Sequence, residues 1–412
     1  MSTRSLAERL AVVRDERGDA HRPRPMPSAD RSELLARWFG ARLQVAPDGA
    51  AVVVERRVAL TGTVATNLSA LPPACYFDTE TTGLSTGAGT VVFLAGVGHV
   101  ERDQLVVRQL LLPDYPHEAA LLRLVAAELA ALPRVVTYNG RGFDLPLLTA
   151  RLTVHRLFRE MADLPERHDD LLPVARRLYR RILGGARLAD VEAGVLGVVR
   201  QSDCPGSEVP SRYFSYLRGG SPDLLADVLD HNLQDIVSLT LLEAEIVQLR
   251  AGGWRAARVL DPHGMAVELL RHGATDEALE VVEAAMTPGV DQDQAHSLRR
   301  MATRLLLGAG EVDRAEALWT AATRRASTDA AAAWLEVARI RERHRGDLHG
   351  ALEAAVTASR VLDLAFALGR GGGMLALGRV RLRVEARLRR LRRWVAAEER
   401  RAARQSPGAA VA

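Results

Sequence analysis

Four acidic residues in three separated segments constrain this chain more than any other feature. The segments are DTETTG at 78–83, YNGRGFDLPLL at 138–148 and HNLQD at 231–235, and they contribute Asp78, Glu80, Asp144 and Asp235. Carboxylates brought to one place repel one another unless a cation sits among them, so a purely structural domain has no use for four that converge. Hydrolysis of a phosphodiester does have such a use. It needs two hard divalent cations about 4 Å apart, and hard cations take carboxylate oxygens as ligands. The pattern therefore implies a fold that returns to one point three times, and a metal-dependent nuclease chemistry at that point.

The local spacings fit. Ala74-Cys75-Tyr76-Phe77 reads as a buried strand running into Asp78-Thr79-Glu80, and alternation along a strand puts Asp78 and Glu80 on one face. Val135-Val136-Thr137-Tyr138 reads as a second strand that breaks at Asn139-Gly140, after which Phe143-Asp144 opens a helix with Asp144 in its first turn. Ser221 as N-cap and Pro222 at the first position announce a long helix. His231 and Asp235 lie four apart on it and share a face, so an imidazole stands beside the last carboxylate.

Together D-x-E-T-T-G, Y-N-x-x-x-F-D-x-P and the late helical acid resemble the DEDD (DnaQ-like) 3′→5′ exonucleases of the ribonuclease H-like fold. Four further segments, LSTGAGTVVFLAGVG at 84–98, HDDLL at 168–172, LADVEAGVLG at 188–197 and HNLQD, resemble more narrowly the YprB-like, mitomycin-repair exonucleases of bacteria. The resemblance covers roughly residues 70–250. It implies metal ligation by Asp78, Glu80, Asp144 and Asp235, a general base at His231, and a channel for the terminal nucleotide lined by Thr81, Leu84, Asn139 and Phe143. The base departs from the family pattern, which places a His five residues or a Tyr four residues before the last Asp. An imidazole is a better base than a phenol at pH 7, so the chemistry permits His231. In HDDLL, Asp170 reads either as a residue that orients a ligand or contacts substrate or, with Asp169, as an acidic helix N-terminus.

The rest of the chain sets outer bounds. Its 412 residues, 48% of them hydrophobic, suffice for two or three domains. The expected plan is a mobile N-terminal arm over 1–35, a strand-rich extension over 36–70, and an α/β ribonuclease H-like mixed sheet carrying the exonuclease over 71–250. Strands are expected near 74–79, 91–98, 104–112 and 134–138, with a helix at 117–132. Cys75 and Cys204 have no partnered C-x-x-C, which argues against a disulfide framework or a zinc site. Every basic residue is Arg, so a Walker phosphate loop and lysine Schiff-base chemistry are excluded. Without an apolar span or a secretion signal, the expected location is cytoplasmic and no membrane is involved.

Beyond Leu249 the composition turns to Ala-rich paired helices. Gly273, Gly310 and Gly346 recur 37 and 36 residues apart, each followed five residues later by Ala278, Ala315 or Ala351. This resembles tetratricopeptide repeats over 255–368, an all-α domain that either braces the nuclease or offers a concave face to a partner. An Arg-rich amphipathic helix is expected over 374–404. Between 379 and 393 it holds eight Arg against Glu385, a net +7 where the whole chain is +4. Its apolar stripe, Val380, Val384, Leu388, Leu391 and Val395, can dock while the guanidiniums face solvent or phosphates.

These features point to an exonuclease using two Mg²⁺ or Mn²⁺ ions, removing nucleotides from the 3′ end of DNA in repair, with a separately encoded helicase or repair protein as partner. The alternatives are an RNA 3′ exonuclease of the same chemistry and a scaffold that binds nucleic-acid ends without cutting.

Overall fold

Seven strands form one mixed sheet in the computed structural model of the protein, which describes residues 28–83, 87, 89–200, 204–286, 292–323, 326–370 and 373–405. The strands are β1 (Arg42–Ala46), β2 (Gly49–Ala59), β3 (Cys75–Thr81), β4 (Val92–Glu101), β5 (Gln104–Leu111), β6 (Arg134–Thr137) and β7 (Arg167–Asp170), in the order β1-β2-β5-β4-β3-β6-β7. The five from β1 to β3 pair antiparallel, and β6 and β7 add parallel beyond β3. Helices α1 (Ser28–Trp38), α2 (Gly62–Ser69), α3 (Glu118–Ala130), α4 (Asp144–Val154), α5 (Leu172–Leu183), α6 (Val209–Leu217) and α7 (Ala226–Arg250) complete the first of two compact units, Met1–Asp261. This is the ribonuclease H-like mixed sheet expected from the sequence.

Most of the expected arm, residues 1–27, lies outside the described residues. From Ser28 the chain is helical rather than mobile. Leu35 of α1 is fully buried, and the Arg31 guanidinium donates to the Leu217 carbonyl at 3.0 Å. Few apolar residues mark this helix in SADRSELLARW, so polar contacts share in its docking: Arg31 also pairs with Asp114 at 3.3 Å, and the Trp38 indole donates to Asp223 at 2.9 Å.

The position of α7 governs the site. Phe93, Ala95 and Val97 of β4 join Leu121, Leu122, Val125 and Leu129 of α3 in the core, whereas the alternate residues Gly96 and Gly98 face α7. A Cβ at Gly98 would stand 2.5 Å from Ile236 Cγ2, and one at Gly96 would stand 2.9 Å from Asn232 Cγ. Only hydrogen fits there. Two glycines in an otherwise apolar strand thus let a helix lie almost on the backbone of the sheet.

A buried polar cluster fixes the other end of α7. Arg134 Nη1 donates to Glu243 Oε1 at 2.6 Å and Nη2 to Oε2 at 3.1 Å, while the Tyr76 hydroxyl donates to Oε2 at 2.7 Å. Leaving a buried charge without its partner typically costs about 3–5 kcal/mol. Glu243→Ala should therefore lower the unfolding free energy by about that amount, measured by chemical denaturation. A loss under about 1 kcal/mol would mean that Asp169, whose Oδ2 lies 3.2 Å from Arg134 Nη1, or water takes over from the lost carboxylate.

The second unit, Pro262–Ala412, is helical: α8 (Pro262–Arg271), α9 (Thr275–Ala285), α10 (Gln292–Gly308), α11 (Val312–Ala321), α12 (Thr328–Ile340), α13 (Leu348–Ala367) and α14 (Met374–Gln405). Gly273, Gly310 and Gly346 turn the chain between successive helices at φ of +79°, +80° and +67°, a conformation that favours glycine. Ala278, Ala315 and Ala351 are fully buried, as small residues at close helix contacts must be. Helix α14 docks through Val384, Leu388, Leu391 and Val395, all buried. Several of its arginines are already paired: Arg390 Nη2 donates to Glu342 at 2.7 Å, Arg387 holds the same carboxylate, and Arg381 reaches Asp363 at 3.0 Å.

Candidate metal centre

Strand β3 delivers the first two carboxylates at its C-terminal end. Asp78 pairs with Gly96 and Glu80 with Leu94 across β4, on the face that α7 covers. Thr79 points to the other face, where its hydroxyl donates to Asp144 Oδ1 at 2.5 Å. Asp144 is the first residue of α4 and is buried. The chain enters this helix through Asn139, whose φ of +69° makes the sharp break after β6. That turn is held by Asp170, which accepts from the backbone N–H of Asn139 at 2.8 Å, Arg141 at 3.2 Å and Leu172 at 3.0 Å. Asp169 and Asp170 therefore lie on β7, which the expected helix start did not include, although Asp170 also accepts from the first N–H of α5. The parallel pairing of Arg167–Asp170 with β6 recruits them into the sheet, and the helix starts only at Leu172.

Helix α7 brings His231, Asn232 and Asp235. His231 Nε2 lies 3.8 Å from Glu80 Oε1 and 3.6 Å from Asp235 Oδ2. One donor atom from each of Glu80, His231 and Asp235 falls within 4.8 Å of the other two. Asn232 Nδ2 donates to the Asp78 carboxylate at 2.9 Å and to its carbonyl at 3.3 Å. Gln109 in turn donates to Asn232 Oδ1 at 3.1 Å and to the Leu229 carbonyl at 2.6 Å, so the amide that orients Asp78 is itself oriented.

The electrostatics show a deficit of positive charge. Burial, then the charges of Asp235, Asp144 and Glu80, push the Asp78 carboxyl well above the usual range, against the Asn232 hydrogen bond. Burial raises Asp144 to about 6 in spite of the Thr79 hydroxyl and backbone N–H groups. Asp235 is also raised by burial, although His231 and Arg200 pull it down. Carboxylate oxygens with one imidazole, under mutual repulsion that a cation would relieve, are a donor set suited to Mg²⁺ or Mn²⁺.

One cation of the protein's own is already close. Arg200 Nη2 donates to Asp235 Oδ1, and Nη1 lies 3.1 Å from His231 Nδ1. The same guanidinium grips Glu192 through Nε at 2.7 Å and Nη2 at 2.8 Å. Glu192 is almost fully buried and also accepts from the Ser238 hydroxyl at 2.5 Å. Sequence reasoning missed Asn232, Gln109, Glu192 and Arg200. The only available signal was position: Asn232 lies inside HNLQD and Glu192 inside LADVEAGVLG.

Among the expected nucleotide-channel residues, Thr81 is buried at the end of β3 and donates to the Gly83 carbonyl at 2.6 Å. Asn139 forms the strained turn before α4, and Phe143 packs partly buried against the core. Leu84 lies outside the described residues.

Residues 75–247 match the model of the RNase H superfamily. The uncharacterized protein YprB of Bacillus subtilis (strain 168) is 34% identical over 285 residues, which span 68% of this chain and 67% of that protein. Among solved structures, the family B DNA polymerase from the hyperthermophilic archaeon Pyrobaculum calidifontis aligns at 15% identity with a TM-score of 0.36, covering 62% of this chain and 35% of the polymerase. With a third of the YprB positions identical across two thirds of both chains, and the superfamily match centred on the strands and helices that gather the carboxylates, the chain belongs to the YprB family and its first unit is an RNase H-like, nuclease-type domain.

Proposed function

We propose that this protein is a metal-dependent 3′→5′ exonuclease that trims DNA in repair. The observation that carries the reading is the approach of Glu80, His231 and Asp235 to within 4.8 Å, with the partly buried Asp78 and the buried Asp144 close enough for their charges to interact. Asp78, Glu80, Asp144 and Asp235 would hold two divalent ions. When bound, these ions supply charge for the attacking and leaving oxygens and make a water acidic enough to attack.

The protein's own groups perform the remaining tasks. Asn232 and Thr79 fix the rotamers of Asp78 and Asp144, so the ligands are positioned before metal arrives. His231 presents Nε2 to the carboxylates and is the group to take the water's proton. A guanidinium has only donors, so the Arg200 contact makes Nδ1 an acceptor and leaves the ring proton of neutral His231 on Nε2. Withdrawal of Arg200 from Nδ1 frees that tautomer to invert and Nε2 to act as base. By the family resemblance, Thr81, Leu84, Asn139 and Phe143 would line the channel for the terminal nucleotide. The helical unit supplies a surface for a separately encoded helicase or repair partner in the cytoplasm.

The decisive experiment follows degradation of 3′-labelled and 5′-labelled DNA and RNA strands of one sequence, with Mg²⁺ or Mn²⁺ and with chelator. A metal-dependent ladder shortening from the 3′ end of DNA is expected. Shortening from the 5′ end, or of RNA alone, would overturn the proposal.

The basic helix provides a separate test. Arg379, Arg392 and Arg393 are exposed, whereas the pairing of Arg387 and Arg390 with Glu342 ties them to the fold. Deleting α14 would strip a buried stripe from the second unit, so charge removal is the better probe. Changing Arg379, Arg392 and Arg393 together to Gln should reduce the slope of log affinity against log salt for single strands by about two, at about 0.7 per phosphate contact. Fluorescence anisotropy at several salt concentrations measures it. Coincident slopes would assign these arginines to solvent.

A further inference from the structure

We propose that Arg200 is the resident counter-cation of the metal centre: it holds Asp235 and His231 while no divalent ion is bound, and it weakens ion binding by opposing the incoming charge. This rests on the metal-centre reading above. Of the two Asp235 oxygens, Oδ2 faces His231 Nε2 at 3.6 Å and Oδ1 takes the Arg200 Nη2 proton. An ion entering beside Glu80 and Asp235 therefore meets a guanidinium on the far oxygen of one ligand and on the far nitrogen of the neighbouring imidazole.

The anchor gives the device its range. Glu192 holds the guanidinium through both carboxylate oxygens and receives the Ser238 hydroxyl, so Arg200 is fastened from behind by an almost fully buried acid. That acid also cancels part of the guanidinium's charge as the metal centre feels it. Arg200 and Glu192 thus act on the ion with opposite signs, although each stabilises the other. A role limited to bracing the fold would not separate them: loss of either partner would loosen the same contact and disturb Asp235 and His231 in the same way.

The test is Mn²⁺ affinity, measured by titration calorimetry on the full chain, with the metal-free melting temperature recorded beside it. Arg200→Gln makes the pocket one charge more negative and should tighten Mn²⁺ by about tenfold or more. Glu192→Gln leaves Arg200 uncancelled and should weaken Mn²⁺ by about the same factor. Both should melt at lower temperature without metal, since each loses an ion pair. Affinities that move in one direction together, or not at all, would overturn the proposal. Should Arg200→Gln fail to fold, Glu192→Gln alone carries the sign, and unchanged or tighter binding refutes it. No Mn²⁺ binding by the unaltered protein would instead overturn the metal-centre reading itself.

Discussion

Asp144→Asn should reduce metal-dependent cleavage by about 10³-fold or more while leaving the metal-free protein as stable as before, or more so. The first part follows from losing a ligand that supports several kcal/mol of charge stabilisation, since each 1.36 kcal/mol is a factor of ten. The second follows from the direction of the ionisation shift. Asp144 titrates near 6 in the fold against about 3.9 in an unfolded chain, so the native state binds the extra proton between those values. Stability is therefore highest below about pH 4 as far as this group is concerned, and it declines as pH rises toward and through 6. At pH 7 the charged carboxylate costs on the order of 2–3 kcal/mol, a burden that Asn does not carry. The amide oxygen still accepts from Thr79, so the side chain keeps its place. Melting curves from pH 4 to 8 in chelator should slope downward for the unaltered protein and be flatter for the variant. Full cleavage by Asp144→Asn would remove this residue from the reaction.

His231→Ala should cost about 10²- to 10⁴-fold in turnover, the usual loss when a general base is removed. Mn²⁺ affinity should change far less, because the four carboxylates carry the formal charge that binds a hard cation. The comparison with Asp144→Asn is informative, since that variant should lose affinity and turnover together. Single-turnover rates at saturating metal separate the two. Unchanged turnover at pH 7 would show that bulk hydroxide or another group activates the water, and the Arg200 contact would then serve only to orient Asp235.

Much of this arrangement was legible before any coordinates. Asp78 and Glu80 could be assigned to one face because strand alternation admits no other arrangement, and His231 and Asp235 because a helix repeats nearly every four residues. The strands expected near 74–79, 91–98 and 104–112 from apolar runs ended by turn residues are found at 75–81, 92–101 and 104–111. What stayed hidden has a common physical character. Asn232, Gln109, Glu192 and Arg200 act through hydrogen bonds between residues far apart in sequence, and such pairings leave no periodic trace. For Asp169 and Asp170 the helix start is visible locally, and Asp170 does accept from the Leu172 N–H, but the strand they also belong to is not, because its parallel partner lies more than thirty residues upstream, at 134–137. Gly96 and Gly98 lie in LSTGAGTVVFLAGVG. Their reason, the closeness of Asn232 and Ile236, could not be seen from β4 alone.

The placement of His231 and Asp235 on α7, the last helix of the first unit, has a bearing on synthesis. Asp78, Glu80 and Asp144 leave the ribosome long before residues 231–235, and until α7 seats itself on the two glycines of β4 they have neither the imidazole nor the fourth acid. A nascent or prematurely ended chain is thus a half-built blade with its edge missing. On the proposed reading, the metal centre is complete only after the whole first unit has been made and has closed, so quality control on folding is at the same time control over when the site can act.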